Sequence, residues 1–167
     1  MKISFKLTRS LLESIKYDLA RPHLFAHERV GFISAGLSAA NDELFVLARN
    51  YRPVADEDYL RDHSVGAMMG PEAIRKALQW AMSEGVGLFH VHTHGGRGRP
   101  EFSGIDLREQ SKFVPNFFQI APKCPHGTLV MSDDCVYGHI WLDGGGLPET
   151  INRFTVVGSP LRSWTNT

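Results

Sequence analysis

The run from Gly70 to His92 constrains the fold most, because it predicts a helix that leads directly into a buried strand. Gly70-Pro71 is typical of a helix start, since proline fits the first helical position, and Gly85 is typical of a helix end. Residues 86–92 (VGLFHVH) then form a nearly continuous apolar run, which predicts a buried strand. A helix followed at once by a buried strand is typical of chains that cover a sheet with helices.

The rest of the chain adds strands and helices in mixed order, without an internal repeat. A second clear helix is predicted from Ser103 to about Val114, where Pro115 should end it. Apolar patterns predict the other elements: a strand over 2–7, a helix from Thr8 to about Ala20, a hairpin of 29–36 and 44–49, a hairpin over 128–142 and a final strand over 151–157. We therefore expect 167 residues to form one domain of mixed helices and strands, of the α/β class or, as the alternative, the α+β class.

Composition limits the function classes. Lys and Arg number 18, as do Asp and Glu, so the formal charge is zero, whereas nucleic-acid-binding proteins usually carry a basic excess. No apolar run approaches the roughly 18 residues of a membrane helix, and charged residues interrupt the N-terminal stretch, which argues against a signal peptide. Two cysteines are too few for a zinc ribbon and suit a reducing compartment. We expect a cytoplasmic protein that binds neither nucleic acid nor membrane.

Two histidines and an aspartate are spaced as metal ligands. His92 and His94 are two residues apart on a predicted strand, so their side chains leave the same face and can meet at one ion. Catalytic zinc usually takes three protein ligands and keeps a fourth position for water. Asp106 is a candidate third ligand, because the glycine-rich loop 95–102 can fold the next helix start back against the strand. Ser103-x-x-Asp106 alone also fits a helix cap, but the two patterns together are more specific than either.

Together these residues resemble the metal motif of the JAMM (MPN-plus) metalloprotease family, which reads H-[ST]-H-x7-S-x-x-D. The family also has an upstream glutamate in the pattern E-x-x-G-[hydrophobic]-[hydrophobic]-x-x-G, and residues 28–36 (ERVGFISAG) match it. The order of elements agrees, so the resemblance spans roughly residues 10–142. Two departures are visible: eight residues rather than seven separate His94 from Ser103, and Gly95 stands where proline is usual. A glycine-rich loop absorbs one added residue at little cost.

The resemblance implies specific roles at the site. One Zn²⁺ per chain would be bound by His92, His94 and Asp106. Glu28 would be the general base toward the water that zinc activates, and Ser103 would donate its hydroxyl to the oxyanion of the tetrahedral intermediate.

The resemblance also implies a fold and a substrate class. The fold would be an MPN domain over residues 1–158, similar to the cytidine-deaminase-like architecture, with a mixed curved sheet flanked by helices. Separately from the resemblance, the small polar residues at the end of the sequence predict a flexible C-terminal tail over residues 159–167. The activity would be cleavage after the C-terminus of a ubiquitin-like protein, in deconjugation or precursor processing. The implied partners are that protein or its conjugates, together with activating and conjugating enzymes of one operon, as in antiviral defence.

Several assignments have alternatives. His90 shares a face with the other two histidines, so a three-histidine site competes with a packed strand histidine beside the metal. Glu84 and Glu101 are rivals for the general base. Arg97 and Arg99 would bind carboxylates or carbonyls of an incoming peptide tail, against the simpler interpretation of solvated charge. At the level of function, a non-catalytic MPN scaffold and a metal-dependent hydrolase of another small substrate also stay open.

Overall fold

The computed structural model describes residues 1–166, which form nine strands, three α-helices and one short 3-10 helix. The helices are α1 (Arg9–Leu19), α2 (Pro71–Glu84) and α3 (Gly104–Ile120), and the 3-10 helix is Asp56–Asp58. The strands are β1 (Lys2–Thr8), β2 (Val30–Ala40), β3 (Glu43–Pro53), β4 (Gly87–Thr93), β5 (His126–Met131), β6 (Val136–Trp141), β7 (Glu149–Thr150), β8 (Arg153–Val157) and β9 (Arg162–Thr165).

All the strands belong to one mixed sheet in the order β7-β6-β5-β4-β2-β3-β1-β8-β9. The β1–β3, β1–β8 and β4–β5 pairs are parallel and the other pairs are antiparallel. β4 therefore lies near the middle of the sheet, where β2 and β5 flank it.

Helices cover both faces of the sheet. On one face α1 contributes Ile15 to a core that includes Phe89 and Val91 of β4. On the other face, Trp80 of α2 and Phe117 of α3 belong to a second core. Because alternate residues of β4 point to opposite faces, His90 and His92 lie on the side of α2 and α3.

The structure confirms the expected α/β class. The predicted start of α2 is confirmed, because Gly70 caps the helix and Pro71 is its first residue. Its predicted end is also confirmed, because Gly85 adopts the left-handed conformation with φ of 59°. No helix within residues 1–166 is long and apolar enough to cross a membrane.

Two boundaries differ from the predictions. α3 continues through Pro115 to Ile120, because its last turns bury Phe117 and Phe118 and this packing offsets the hydrogen bond that proline removes. The predicted flexible tail over 159–167 instead contains β9, which pairs with β8. Thr167, the last residue of that predicted tail, lies outside the described residues.

Candidate metal centre

Strand register brings an upstream glutamate to the end of β4. Val30 pairs with His92 in the antiparallel register of β2 and β4. Continuing that register by two residues places Glu28 opposite His94. Since residues two apart leave the same face, all three polar side chains point to the side of α2 and α3.

The start of α3 supplies a second carboxylate to the same place. Ser103 caps the helix: its hydroxyl oxygen accepts the Asp106 N–H at 3.2 Å, and Asp106 Oδ2 accepts the Ser103 N–H at 2.7 Å. Burial would raise the pKa of Asp106, but the contacts with His92 and Ser103 outweigh burial and hold that pKa well below its usual range. Asp106 is therefore a charged carboxylate at neutral pH, and it serves the helix cap and the site together.

Three side chains, those of Glu28, His92 and His94, can each offer a ligand atom to one ion, and the Asp106 carboxylate lies beside the two histidines. His92 Nε2 and His94 Nε2 are 3.3 Å apart. Asp106 places Oδ1 3.5 Å from the first nitrogen and Oδ2 3.5 Å from the second. One ligand atom each from Glu28, His92 and His94 also lies within 4.8 Å of the other two. These residues form a cluster that can hold a metal ion.

The separations in this cluster match a tetrahedral ion. Zinc binds imidazole nitrogen at about 2.0–2.1 Å, so two ligands of a tetrahedral zinc lie about 3.3–3.4 Å apart. The distance between the two histidine nitrogens equals this value, whereas Asp106 presents a different carboxylate oxygen to each nitrogen, each at 3.5 Å. His92 Nδ1 is buried and has no hydrogen-bond partner within residues 1–166, so its Nε2 is the nitrogen that faces the cluster.

Gly66 fixes the position of Glu28. The backbone N–H groups of His27 and Glu28 both donate to the Gly66 carbonyl, at 2.8 and 3.1 Å. A Cβ atom on Gly66 would lie 2.6 Å from the Glu28 Cδ, so any other residue there would require the Glu28 carboxylate to shift. The next residue, Arg29, is buried and donates to Asp56 at 2.7 Å and to two backbone carbonyls of the preceding loop.

The glycine-rich loop after β4 is tied to the turn between β5 and β6. Gly98 donates its N–H to Asp134 Oδ1 at 2.7 Å and accepts the Ser132 hydroxyl at 2.7 Å. Asp133 donates its N–H to the Gly96 carbonyl at 2.9 Å. These three bonds hold the loop that connects His94 to α3.

The two arginines of this loop are exposed and have different surroundings. The guanidinium of Arg99 lies over the ring of Tyr137, 4.6 Å from its centroid. The pKa of Asp134 is lowered most by the hydrogen bond from the Gly98 N–H. The positive charge of Arg97 lowers that pKa further. Neither arginine belongs to the metal cluster.

The structure gives the positions of the rival metal ligand His90 and of the two rivals for the general base, Glu84 and Glu101. His90 packs against Phe32 and Phe113, with ring centroids 5.6 and 5.3 Å away, and burial lowers its pKa to about 3. Its ring centroid is 5.5 Å from that of His92, so His90 is a neighbour of the metal cluster and not one of its members. Glu84 lies at the end of α2, 3.5 Å from Arg52, and Glu101 is exposed in the loop before α3.

A cleft of about 200 Å³ opens beside the cluster, between α3 and the segment 65–69. Glu28, His92 and Asp106 line its end nearest the cluster. Its apolar lining includes Met69 and Phe113. The cleft is the natural place for a substrate group next to the metal ligands.

Sequence reasoning missed the residues that hold the site in place. Gly66 lies in a polar, irregular segment, and only the tertiary structure shows its close contact with the Glu28 carboxylate. Ser132 and Asp134 lie about 40 residues beyond the two histidines, in a turn for which the sequence predicted only a hairpin. The cleft is formed by elements distant in sequence, so no local pattern could have predicted it.

Comparison with known proteins gives little further guidance. No family model matches the chain, and no curated protein matches it. Among solved structures, the chain is similar to the Trichoplax adhaerens STIL N-terminal domain, with 11% sequence identity and a TM-score of 0.36. That match covers 80% of this chain and 39% of the other, so this chain spans well under half of the STIL structure. At this TM-score the similarity supports no inference about fold or function.

Proposed function

We propose that this protein is a zinc-dependent hydrolase that cleaves the amide or isopeptide bond after the C-terminus of a ubiquitin-like protein. The observation that carries the metal site is the 3.3 Å separation of His92 Nε2 from His94 Nε2, with Asp106 3.5 Å from each. The substrate class rests on the resemblance of the motif to JAMM metalloproteases. Glu28 beside the two histidines supplies the further carboxylate that peptide hydrolysis needs.

His92, His94 and Asp106 would hold the zinc ion. When bound there, zinc would polarise the scissile carbonyl and lower the pKa of water to about 7. Glu28 takes the proton from the attacking water and passes it to the leaving amine. The Ser103 hydroxyl accepts the Asp106 N–H, so its own proton is free to donate to the oxyanion, a contact typically worth about 2.7–4 kcal/mol.

The test combines metal content with cleavage. We expect elemental analysis of the purified chain to find about one zinc per chain. Ubiquitin-like proteins fused through their C-terminus to a reporter should be cut at the junction, and a zinc chelator should abolish this cleavage until zinc is restored. Cleavage that persists after complete metal removal would refute the mechanism. Two metal ions per chain would instead favour the hydrolase of another substrate, because phosphoesterases often use two metals.

Gly66→Ala is expected to lower kcat/KM for this cleavage by about 10- to 100-fold, since small displacements of a catalytic group have effects of this order. The reason is that the new Cβ would lie 2.6 Å from the Glu28 Cδ and push the carboxylate aside. Zinc content should not change, because the three atoms nearest to the new Cβ all belong to Glu28 and not to His92, His94 or Asp106. Gly145→Ala is the matched control, since the nearest atom to its Cβ is 3.9 Å away. Equal activity of both variants would show that Gly66 does not position Glu28.

A further inference from the structure

Buried polar side chains line part of the cleft beside the metal cluster. Besides the proposed metal ligand His92, three of its lining residues are polar and at least nine-tenths buried: His90 is 8% exposed, Gln110 is 3% and Thr128 is 1%. His90 and Thr128 are direct neighbours in the parallel register of β4 and β5. Gln110 of α3 accepts the Thr128 hydroxyl through Oε1, so the three side chains form one floor.

This floor has hydrogen-bonding capacity that the described chain leaves unused. His90 Nε2 is buried and has no partner within residues 1–166. Because Oε1 of Gln110 already accepts from Thr128, the Gln110 amide N–H₂ is left as a donor. Buried polar groups are normally satisfied, so an unpartnered imidazole lining a cleft is an observation that needs a ligand or a water to explain it.

The charged residues that line the cleft are less buried than the polar residues of its floor. Glu28, Asp106 and Glu109 are half-buried, and Arg108 and Lys112 are exposed. Glu109 is bonded to Lys112 at 2.8 Å and to Arg108 at 3.3 Å, so these charges are largely paired on α3. A carboxylate that entered would meet the carboxylates of Glu28 and Asp106. An ammonium group that reached the floor would lose its water without gaining a buried carboxylate.

We propose that this cleft is a specificity pocket that takes one substrate side chain ending in a carboxamide, which makes glutamine the preferred residue. This inference rests on the proposed function, because it assigns the substrate side chain that the hydrolase selects. The apolar lining, with Met69 and Phe113, suits the methylene stem. The carboxamide oxygen accepts from Gln110, and its N–H₂ donates to the imidazole of His90. A leucine of similar size satisfies neither group.

The first experiment is a positional scan of tetrapeptide amides that release aminocoumarin, assayed with the zinc-loaded chain. Each position carries Gln, Asn, Glu, Leu, Lys or Met in turn. At one position we expect Gln to exceed Leu and Glu by about 10- to 100-fold in kcat/KM, since a site built to hydrogen-bond discriminates strongly against analogues that cannot. The near-isosteric variants Gln110→Met and His90→Phe should reduce this preference to less than about threefold. Gln119→Met, the same change at an exposed position of α3, should retain it.

A second readout does not depend on turnover. The zinc-loaded Glu28→Gln chain is mixed with the fluorescein-labelled glutamine peptide and with its leucine counterpart, and fluorescence anisotropy gives Kd for each. We expect the leucine peptide to bind about tenfold more weakly, and Gln110→Met in the same background to remove the difference. Cleavage without any preference for glutamine would overturn the pocket and leave the proposed hydrolase standing. Absence of all cleavage would count against the proposed hydrolase. In that case the anisotropy measurement still tests the pocket, and equal Kd values for the two peptides would overturn it.

Discussion

Glu28→Gln is expected to lower kcat/KM of the proposed hydrolysis by about 10²- to 10⁴-fold, the usual contribution of a general acid-base group. Glutamine keeps the shape of the side chain and its space beside Gly66, but it cannot take a proton from water. The zinc content should stay at one per chain, because His92, His94 and Asp106 remain. The measurement is steady-state cleavage of the ubiquitin-like fusion beside elemental analysis of the same sample.

Two matched variants separate Glu28 from its rivals. Glu84→Gln and Glu101→Gln make the same chemical change at the end of α2 and in the exposed loop, and both should keep near-normal activity. Loss of zinc in the Glu28 variant would give a different assignment. The ligand atoms of Glu28, His92 and His94 lie within 4.8 Å of one another, so Glu28 would then be the third ligand and Asp106 the candidate base.

The sequence predicted the two halves of the site because each half is local. The H-x-H spacing on a strand places both imidazoles on one face, and Ser103-x-x-Asp106 gives a capping box at a helix start. The structure adds that these halves meet, with 3.5 Å between Asp106 and each imidazole. Spacing alone left this distance open, because the eight-residue loop between them can follow many paths.

Features that depend on tertiary packing could not be predicted in this way. Pro115 indicates a helix end by its local chemistry, but burial of Phe117 and Phe118 keeps α3 helical beyond it. β9 carries no strong strand pattern and exists because β8 offers it a free edge. Gly66 belongs to the site only because the chain returns past Glu28, and this contact joins residues 38 positions apart.

Asp106→Asn is expected to weaken zinc binding by more than about 100-fold, since loss of a group that only orients a ligand already costs 10- to 100-fold. Asparagine keeps an oxygen that accepts the Ser103 N–H but loses the negative charge that zinc binding uses. The metal-free chain should lose about 0.5–2 kcal/mol of unfolding free energy, as for a lost helix cap, because the contacts that lower the Asp106 pKa also stabilise its charged form. Zinc affinity is measured by competition with a chromophoric chelator, and stability by urea unfolding.

The comparison with Ser103→Ala distinguishes ligation from capping at the same helix start. That variant removes the acceptor for the Asp106 N–H and should destabilise the metal-free chain by about 0.5–2 kcal/mol, yet leave zinc affinity within a few-fold of normal. Asp143→Asn changes a carboxylate that accepts N–H groups in a remote turn, and it should leave zinc affinity unchanged. If Asp106→Asn bound zinc as tightly as the unmodified chain, Asp106 would be a helix cap and not a ligand. The third protein ligand would then be sought at Glu28, where the complementary loss of zinc is measurable in the Glu28→Gln chain.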